Sequence, residues 1–247
     1  MKRFAILGYP LGHTLSPKLH RLLAEQLGEQ IEYSICAIPP EELEEHFEEL
    51  FCLDGFNITI PYKVRLMEQL DRLDTSARNH GAVNVVSIAA DGKRCGYNTD
   101  CIGFVRTMQS HGVPISGRVC VLGAGGVGRM FATECALRGC AVTLAVRAAS
   151  MKAAEQVAAH IRSLDAQAQV EVMDIEQLDG SQAYELMINA TPVGMYPNVQ
   201  HSPVDEQALR SVKTLFDCIY NPGTTLLMQQ AQHTDKRQEA LLCALKP

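Results

Sequence analysis

Gly123, Ala124, Gly125, Gly126, Val127 and Gly128 form a GxGxxG pattern inside "VLGAGGVG". Glycines at this spacing let the backbone turn tightly and let an anion come close, and a helix that starts there turns its free amides toward the anion. The chemistry this suits is the binding of a pyrophosphate, and so of a dinucleotide. Arg147 follows at the end of the next apolar run. About 20 residues beyond the glycines, NAD sites place a carboxylate for the ribose hydroxyls, whereas an arginine suits a 2′-phosphate. NADP is the favoured cofactor and NAD the other candidate. A second stretch, "FNITIPYK", sets Lys63 just beyond Pro61, which interrupts an apolar strand. A lysine there either marks the return of the chain to solvent or carries a cation into a site, and the stretch by itself leaves both open.

The elements that must position these residues alternate between strand and helix. "FAILGY" reads as a strand, and "SPKLHRLLAEQLG" as a helix with Ser16 at its N-cap, Pro17 at its first position and Leu19, Leu22, Leu23 and Leu27 on one face. "IEYSICAI" is a strand, the acidic "PEELEEHFEEL" a helix with a solvated face, and "GFNITI" a third strand. "GAVNVVSIAADGKRCGYN" reads as two strands joined by an Asp91-Gly92 turn. A new unit begins near Cys101, where "RVCVLGAGGVGRMFATECALRGCAVTLAVR" gives strand, glycine turn, helix and strand. Further strands at "AQVEVM", "AYELMINAT" and "TLFDCIY" leave polar loops at their carboxyl ends, where open α/β sheets bind ligands. Two of these loops, Asn189 to Pro197 and Asp217 to Thr225, are placed to border a nicotinamide pocket.

Composition narrows the function classes. With 247 residues, 47% hydrophobic, the chain can bury enough surface for two modest domains. A net charge of −6 offers no basic field for a nucleic-acid backbone, and no long apolar run suggests a membrane span. The nine cysteines are scattered without CxxC spacing, as expected of reduced thiols in a cytoplasmic protein. The expected partner is a small molecule.

Seven stretches in order, "GYPLGHTLSPKLH", "GFNITIPYK", "GAVN", "GYNTDCIGF", "VLGAGGVG", "INATPVGM" and "DCIYNPGTTLL", resemble the shikimate dehydrogenase family over roughly residues 5 to 231. The resemblance implies reversible, NADPH-dependent reduction of 3-dehydroshikimate to shikimate on the way to the aromatic amino acids. It implies catalytic roles for Lys63 and Asp100, and substrate contacts from Thr14, Ser16, Thr59, Asn84 and Tyr220. Asn98 and Thr99 would position Asp100. The cofactor would lie on residues 123–128 with Arg147, Asn189 and Thr191. A cation next to a ketone stabilises the negative charge that hydride delivery builds on oxygen, and a carboxylate beside it orients the amine. On this reading Pro61 ends its strand and turns Lys63 into the cleft.

The chain departs from the family at several points. Thr14 stands for a usual serine, Arg21 for an asparagine and Val85 for a threonine. Val146, Arg147 and Ala148 replace "NRT", and the next basic residue falls at Lys152 instead of at Met151. After "LLMQQA" the family continues through "GxxML", with a glutamine that touches substrate, and a closing helix, whereas here the chain reads "QHTDKRQEALLCALKP". A short helix with Leu241, Leu242 and Leu245 inward is expected there.

The expected fold is a two-domain α/β protein. Residues 1–100 form an α/β substrate-binding domain, with 223–247 packing back on it, and residues 101–222 form a Rossmann-type NADP-binding domain. Family members are monomers or homodimers. Two other functions are to be weighed: a quinate or related cyclohexane-carboxylate dehydrogenase, NAD-linked in one version, and a catalytically weak homologue that binds ligand or cofactor as a regulator or subunit.

Overall fold

The computed structural model describes residues 1–12, 14–234 and 239–242. The chain divides into two units, the first ending at Asp100 and the second starting at Cys101. In the first unit the order is β1 (Lys2–Gly8), α1 (Ser16–Gln26), β2 (Ile31–Ala37), α2 (Phe47–Phe51), β3 (Gly55–Ile58), α3 (Tyr62–Arg65), β4 (Arg72–Leu73), α4 (Thr75–His80), β5 (Val85–Ile88) and β6 (Arg94–Tyr97). The six strands form one sheet in the order β2-β1-β3-β5-β6-β4. β1 runs parallel to β2 and β3, while β5 is antiparallel to both β3 and β6. Ala5, Leu7, Leu43, Leu50, Phe56, Ile58, Tyr62, Leu66 and Val83 pack into its core.

This topology decides which loops meet. The carboxyl ends of β1 and β3, the amino end of β5 and the carboxyl end of β6 all fall on one edge of the sheet. The β5–β6 hairpin turns at Gly92, whose φ of +80° suits a glycine. The Asp74 carboxylate caps α4 by accepting from the Ser76 amide at 2.9 Å.

The first helix differs from its sequence reading. α1 starts at Ser16 itself, its N-cap Leu15 makes no side-chain cap bond, and the Ser16 amide donates to Thr14 Oγ1 at 3.2 Å. Leu19, Leu22, Leu23 and Leu27 do share the expected spacing, yet they are 47%, 50%, 46% and 79% exposed, and the buried residue of α1 is Ala24. Helical periodicity reports which side chains share a face; what covers that face is decided by the neighbouring elements. The acidic stretch forms a 3-10 turn from Leu43 to His46 followed by the short α2, burying Leu43 and Leu50. A two-residue strand, β4, separates α3 and the 3-10 turn after it from α4.

The second unit runs α5 (Asp100–Ser110), β7 (Arg118–Leu122), α6 (Gly126–Leu137), β8 (Ala141–Val146), α7 (Met151–Leu164), β9 (Val170–Asp174), β10 (Tyr184–Asn189), α8 (Glu206–Leu209), β11 (Val212–Asp217), α9 (Leu226–Thr234) and β12 (Glu239–Leu242). Its six strands are all parallel, in the order β12-β11-β10-β7-β8-β9. This is the doubly wound Rossmann arrangement, and the chain reverses direction across the sheet between β7 and β10. On one side Phe104, Phe131 and Phe216 meet edge to face, at 4.7 to 5.7 Å between centroids.

The carboxyl-terminal segment also departs from expectation. Leu227, Met228 and Ala231 of α9 pack with Leu122, Leu209 and Leu215 of the second unit. Residues 239–242 form a strand beside β11 in place of the expected helix, extending the parallel sheet by backbone pairing. Leu245 lies outside the described residues. Eight cysteines in the described part are free thiols. Among the described residues no helix is long and apolar enough to cross a membrane.

Candidate active site

In the first unit, β3 ends at Ile58, and the chain turns through Pro61 into the single-turn helix α3. Thr59 is held there by its amide, which donates to the Leu7 carbonyl at 2.9 Å. A Cβ at Gly8 would lie 2.4 Å from the Thr59 methyl, so the end of β1 must be glycine for Thr59 to come this close. The Lys63 carbonyl accepts from the Val83 amide at 2.7 Å, tying α3 to the segment that enters β5.

Lys63 Nζ donates to Asp100 Oδ2 at 2.6 Å, and Asn84 Nδ2 donates to Asp100 Oδ1 at 2.7 Å. Each carboxylate oxygen thus has a fixed partner. The Lys63 and Asp100 side chains are 24% and 33% exposed, within reach of a ligand. The Asn84 side chain also accepts from the Thr99 amide at 2.8 Å, and Asn98 Oδ1 accepts from the Asp100 amide at 3.1 Å. Asn98 is buried and donates to the Ala82 carbonyl, so the turn before Asp100 is held at both ends. The sheet edge therefore collects Thr14, Ser16, Thr59, Lys63, Asn84 and Asp100. Thr14 Oγ1 donates to Ser16 Oγ at 3.1 Å, which joins the two hydroxyls into one polar step at the start of α1.

Three further residues of the first unit, to which the sequence patterns assigned no role, come together beside these groups. Tyr33 on β2 is 3% exposed, donates to Asn57 Oδ1 at 2.6 Å, and stacks on His20 with ring centroids 4.7 Å apart. Residues so far apart along the chain are joined by the fold alone. Period-two alternation along β3 would have shown only that Asn57 shares a side with Thr59.

In the second unit the glycine loop leaves the carboxyl end of β7 at the topological switch point. Gly123 has φ +96°, and a Cβ on Gly128 would lie 2.0 Å from the Gly123 carbonyl oxygen, so both positions demand glycine. Gly125 and Gly126 instead face open space, and Gly125 caps α6 with no side-chain bond. The first amides of α6 are left for a ligand, as a pyrophosphate site requires. These residues fit a dinucleotide. Arg147 is exposed at the end of β8, ahead of a short 3-10 turn, its side chain without a hydrogen bond or ion pair among the described residues.

Asn189 and Thr191 lie beside the loop, the Thr191 methyl close to Gly123. Asn189 is fully buried: its Oδ1 accepts from the Thr191 amide and hydroxyl at 3.0 and 2.7 Å, and its Nδ2 donates to Asp217 Oδ1 at 3.1 Å. Its side chain therefore supports the loop from within. Asp217 was not singled out in the sequence. It is a buried carboxylate that also accepts from the Ile219 amide and from Thr225 Oγ1 at 3.0 and 2.7 Å. Burial pushes its pKa up, and these three bonds oppose the shift. Tyr220, 57% exposed, follows in the loop so held and belongs to the second unit.

Residues 6–86 match the profile of the shikimate dehydrogenase substrate binding domain. Over 234 residues the chain is 36% identical to the shikimate dehydrogenase (NADP(+)) of Bacillus cereus strain B4264, covering 93% of this chain and 83% of that protein. The chain belongs to the shikimate dehydrogenase family. Among solved structures of that family, the Thermus thermophilus enzyme in complex with NADP(H) and shikimate superposes with a TM-score of 0.84 at 29% identity, covering 98% of this chain and 87% of that one. The Listeria monocytogenes enzyme in complex with shikimate and NAD gives 0.89 at 25% identity, with 98% and 86% covered.

Proposed function

We propose that this protein is an NADP-dependent shikimate dehydrogenase, reversibly reducing the ketone of 3-dehydroshikimate to the alcohol of shikimate in the route to the aromatic amino acids. The observation that carries the reading is the Lys63–Asp100 pair, held by Asn84 at the edge that also presents Thr14, Ser16 and Thr59. When bound, the nicotinamide supplies or accepts the hydride. The ammonium of Lys63 has three protons, of which one goes to Asp100; the others are free for the substrate oxygen. In the reducing direction Lys63 stabilises the charge building on that oxygen, and the proton that completes the alcohol reaches it at the same place. Asp100 keeps lone pairs for a neighbouring ring hydroxyl. Thr14 and Ser16 suit the carboxylate, which the amino end of α1 also favours. Tyr220 belongs to the substrate contacts on the same reading.

The phosphates belong on the amides of residues 123–128, with Asn189 and Thr191 bracing that loop and Arg147 facing a 2′-phosphate. The enzyme works in the cytoplasm as a monomer or homodimer, which sedimentation of the purified protein checks. NADPH formation from shikimate, followed by absorbance, tests the whole reading. Lys63→Ala should lower kcat by roughly 10²- to 10⁴-fold, the range of a lost proton donor. A wild-type protein that turns over neither shikimate nor quinate, with NADP or NAD, would sink it.

A further inference from the structure

We propose that Arg129 is a binding residue for the cofactor's diphosphate: its guanidinium, which meets no partner in the protein, runs back over the first turn of α6 and adds a charged clamp to the amides of the glycine loop. The inference rests on the dinucleotide part of the shikimate dehydrogenase reading and names a further residue of that same site.

Arg129 is the fourth residue of α6, directly after Gly128. Its amide donates to the Gly125 carbonyl at 2.8 Å and makes the first backbone bond of the helix. The amides of Gly126, Val127 and Gly128 ahead of it are the ones left to an anion. A helical side chain leaves its Cα toward the amino end, so a long one at this position runs back over those amides. There is room in front of the helix, since a Cβ on Gly125 or Gly126 would meet nothing within 4 Å.

The Arg129 Nε is buried without a hydrogen-bond partner, and the side chain makes no ion pair among the described residues. A guanidinium cannot escape by losing its proton, and a covered N–H left unpaired costs free energy. Nothing in the described chain offsets that cost. The acceptors behind it on α6 are not used: Thr133, one turn further along the same face and fully buried, has an unpartnered hydroxyl of its own. Glu134, the single carboxylate of α6, pairs with Arg138 at 2.8 Å. The side chain is therefore not turned toward the carboxyl end of the helix. An anion that arrives from outside supplies the missing acceptor, and a diphosphate suits the planar fork, which donates parallel bonds to phosphate oxygens. With a net charge of −6 the rest of the protein repels a dinucleotide's phosphates, so a local cation matters more here.

Arg147 and Arg129 then serve different phosphates. The 2′-phosphate assigned to Arg147 is carried by NADP alone, whereas the diphosphate is common to NADP and NAD. Loss of Arg129 therefore weakens both cofactors alike.

The test is fluorescence titration of the full chain with NADPH and with NADH, without substrate, for the wild type, Arg129→Met and Arg129→Lys. The thermal transition of each protein free of cofactor is measured alongside. Methionine keeps an unbranched apolar stem and removes the charge; lysine keeps the charge and loses the fork. Arg129→Met should raise Kd about tenfold to a hundredfold for both cofactors, the range of a charge-assisted bond, with their ratio kept within about threefold. Arg129→Lys should recover part of that loss. Free of cofactor, Arg129→Met should melt no lower than the wild type, because it removes a buried donor that had no partner. An unchanged Kd for NADPH overturns the inference. So does lost affinity together with a lower melting temperature of the free protein, which would show that Arg129 holds the helix, and so does a loss confined to NADPH, the mark of the 2′-phosphate. These three outcomes leave the dehydrogenase reading intact, since titration involves no turnover. A wild type that binds NADPH yet turns over neither shikimate nor quinate sinks that reading alone, and one that binds neither cofactor overturns both.

Discussion

Asn84 and Asp100 are joined by a 2.7 Å hydrogen bond from amide to carboxylate, on the opposite oxygen from the one that Lys63 holds. The bond does more than add an attraction. Lys63 alone could pair with Asp100 in many rotamers, since a point charge carries little direction. The planar amide, fixed by the Thr99 amide behind it, removes that freedom.

Asn84→Ala should therefore lower kcat with shikimate by roughly tenfold to a hundredfold, the cost of misplacing a reacting group by about 1 Å. Circular dichroism should still report a folded chain. Kinetics indistinguishable from wild type would show that Lys63 suffices to orient the carboxylate.

Gly128→Ala should abolish tight cofactor binding. The new methyl would stand 2.0 Å from the Gly123 carbonyl oxygen, and backbone cannot yield as a side chain can. Fluorescence titration with NADPH checks this. Gly125→Ala, at a position with open space around it, should leave the fold unchanged, so that any lost affinity there reports on the ligand itself.

Arg147→Ala should weaken NADP more than NAD. A charge-assisted bond to phosphate contributes about 1.5–3 kcal/mol, which amounts to a preference shift of roughly tenfold to a hundredfold. The ratio of kcat/KM values for the two cofactors measures it. An unchanged ratio would move recognition of the 2′-phosphate to another residue, with Lys152 the next to test.

How much of this was legible in the sequence depended on the range of the interaction. The glycine loop, the β5–β6 turn and the alternation of strand and helix are local signals, and all three are present in the structure. Lys63 and Asp100 were legible only through resemblance, because their bond joins segments 37 residues apart. The α1 leucines misled for a related reason: spacing grouped them correctly, but a sequence holds no record of the surface that faces them. The strand at 239–242 was read as a helix because leucines spaced for a helical face fall equally well in an edge strand. Asn57, Tyr33 and Asp217 were silent, since a buried polar group looks like any other polar residue until its partners are known.

Asp217→Asn tests one such silent residue through pH. Its folded pKa is raised above the ordinary value of 3.8, chiefly by burial, so between the two values the folded chain binds more protons than the unfolded one. Its contribution to stability is complete below the unfolded value and is lost as pH rises through the folded one. An amide does not titrate. The melting temperature of Asp217→Asn relative to wild type should therefore climb as pH rises from the ordinary carboxylate value of 3.8 through the raised folded value, and level off above it. A difference that stays constant over that range would mean the three bonds to the carboxylate fully offset its burial.

Asp100 is at once the last residue of the first unit and the first of α5. For gene recombination this makes the junction directional. A crossover just after codon 100 would give the first unit a new dinucleotide-binding partner and pass on Lys63, Asn84 and their carboxylate as one heritable block. A crossover a few codons earlier would leave the lysine dependent on whatever residue the incoming domain happened to begin with. Chimeras built at either side of this position would differ in activity for a reason that has nothing to do with how well the halves fold.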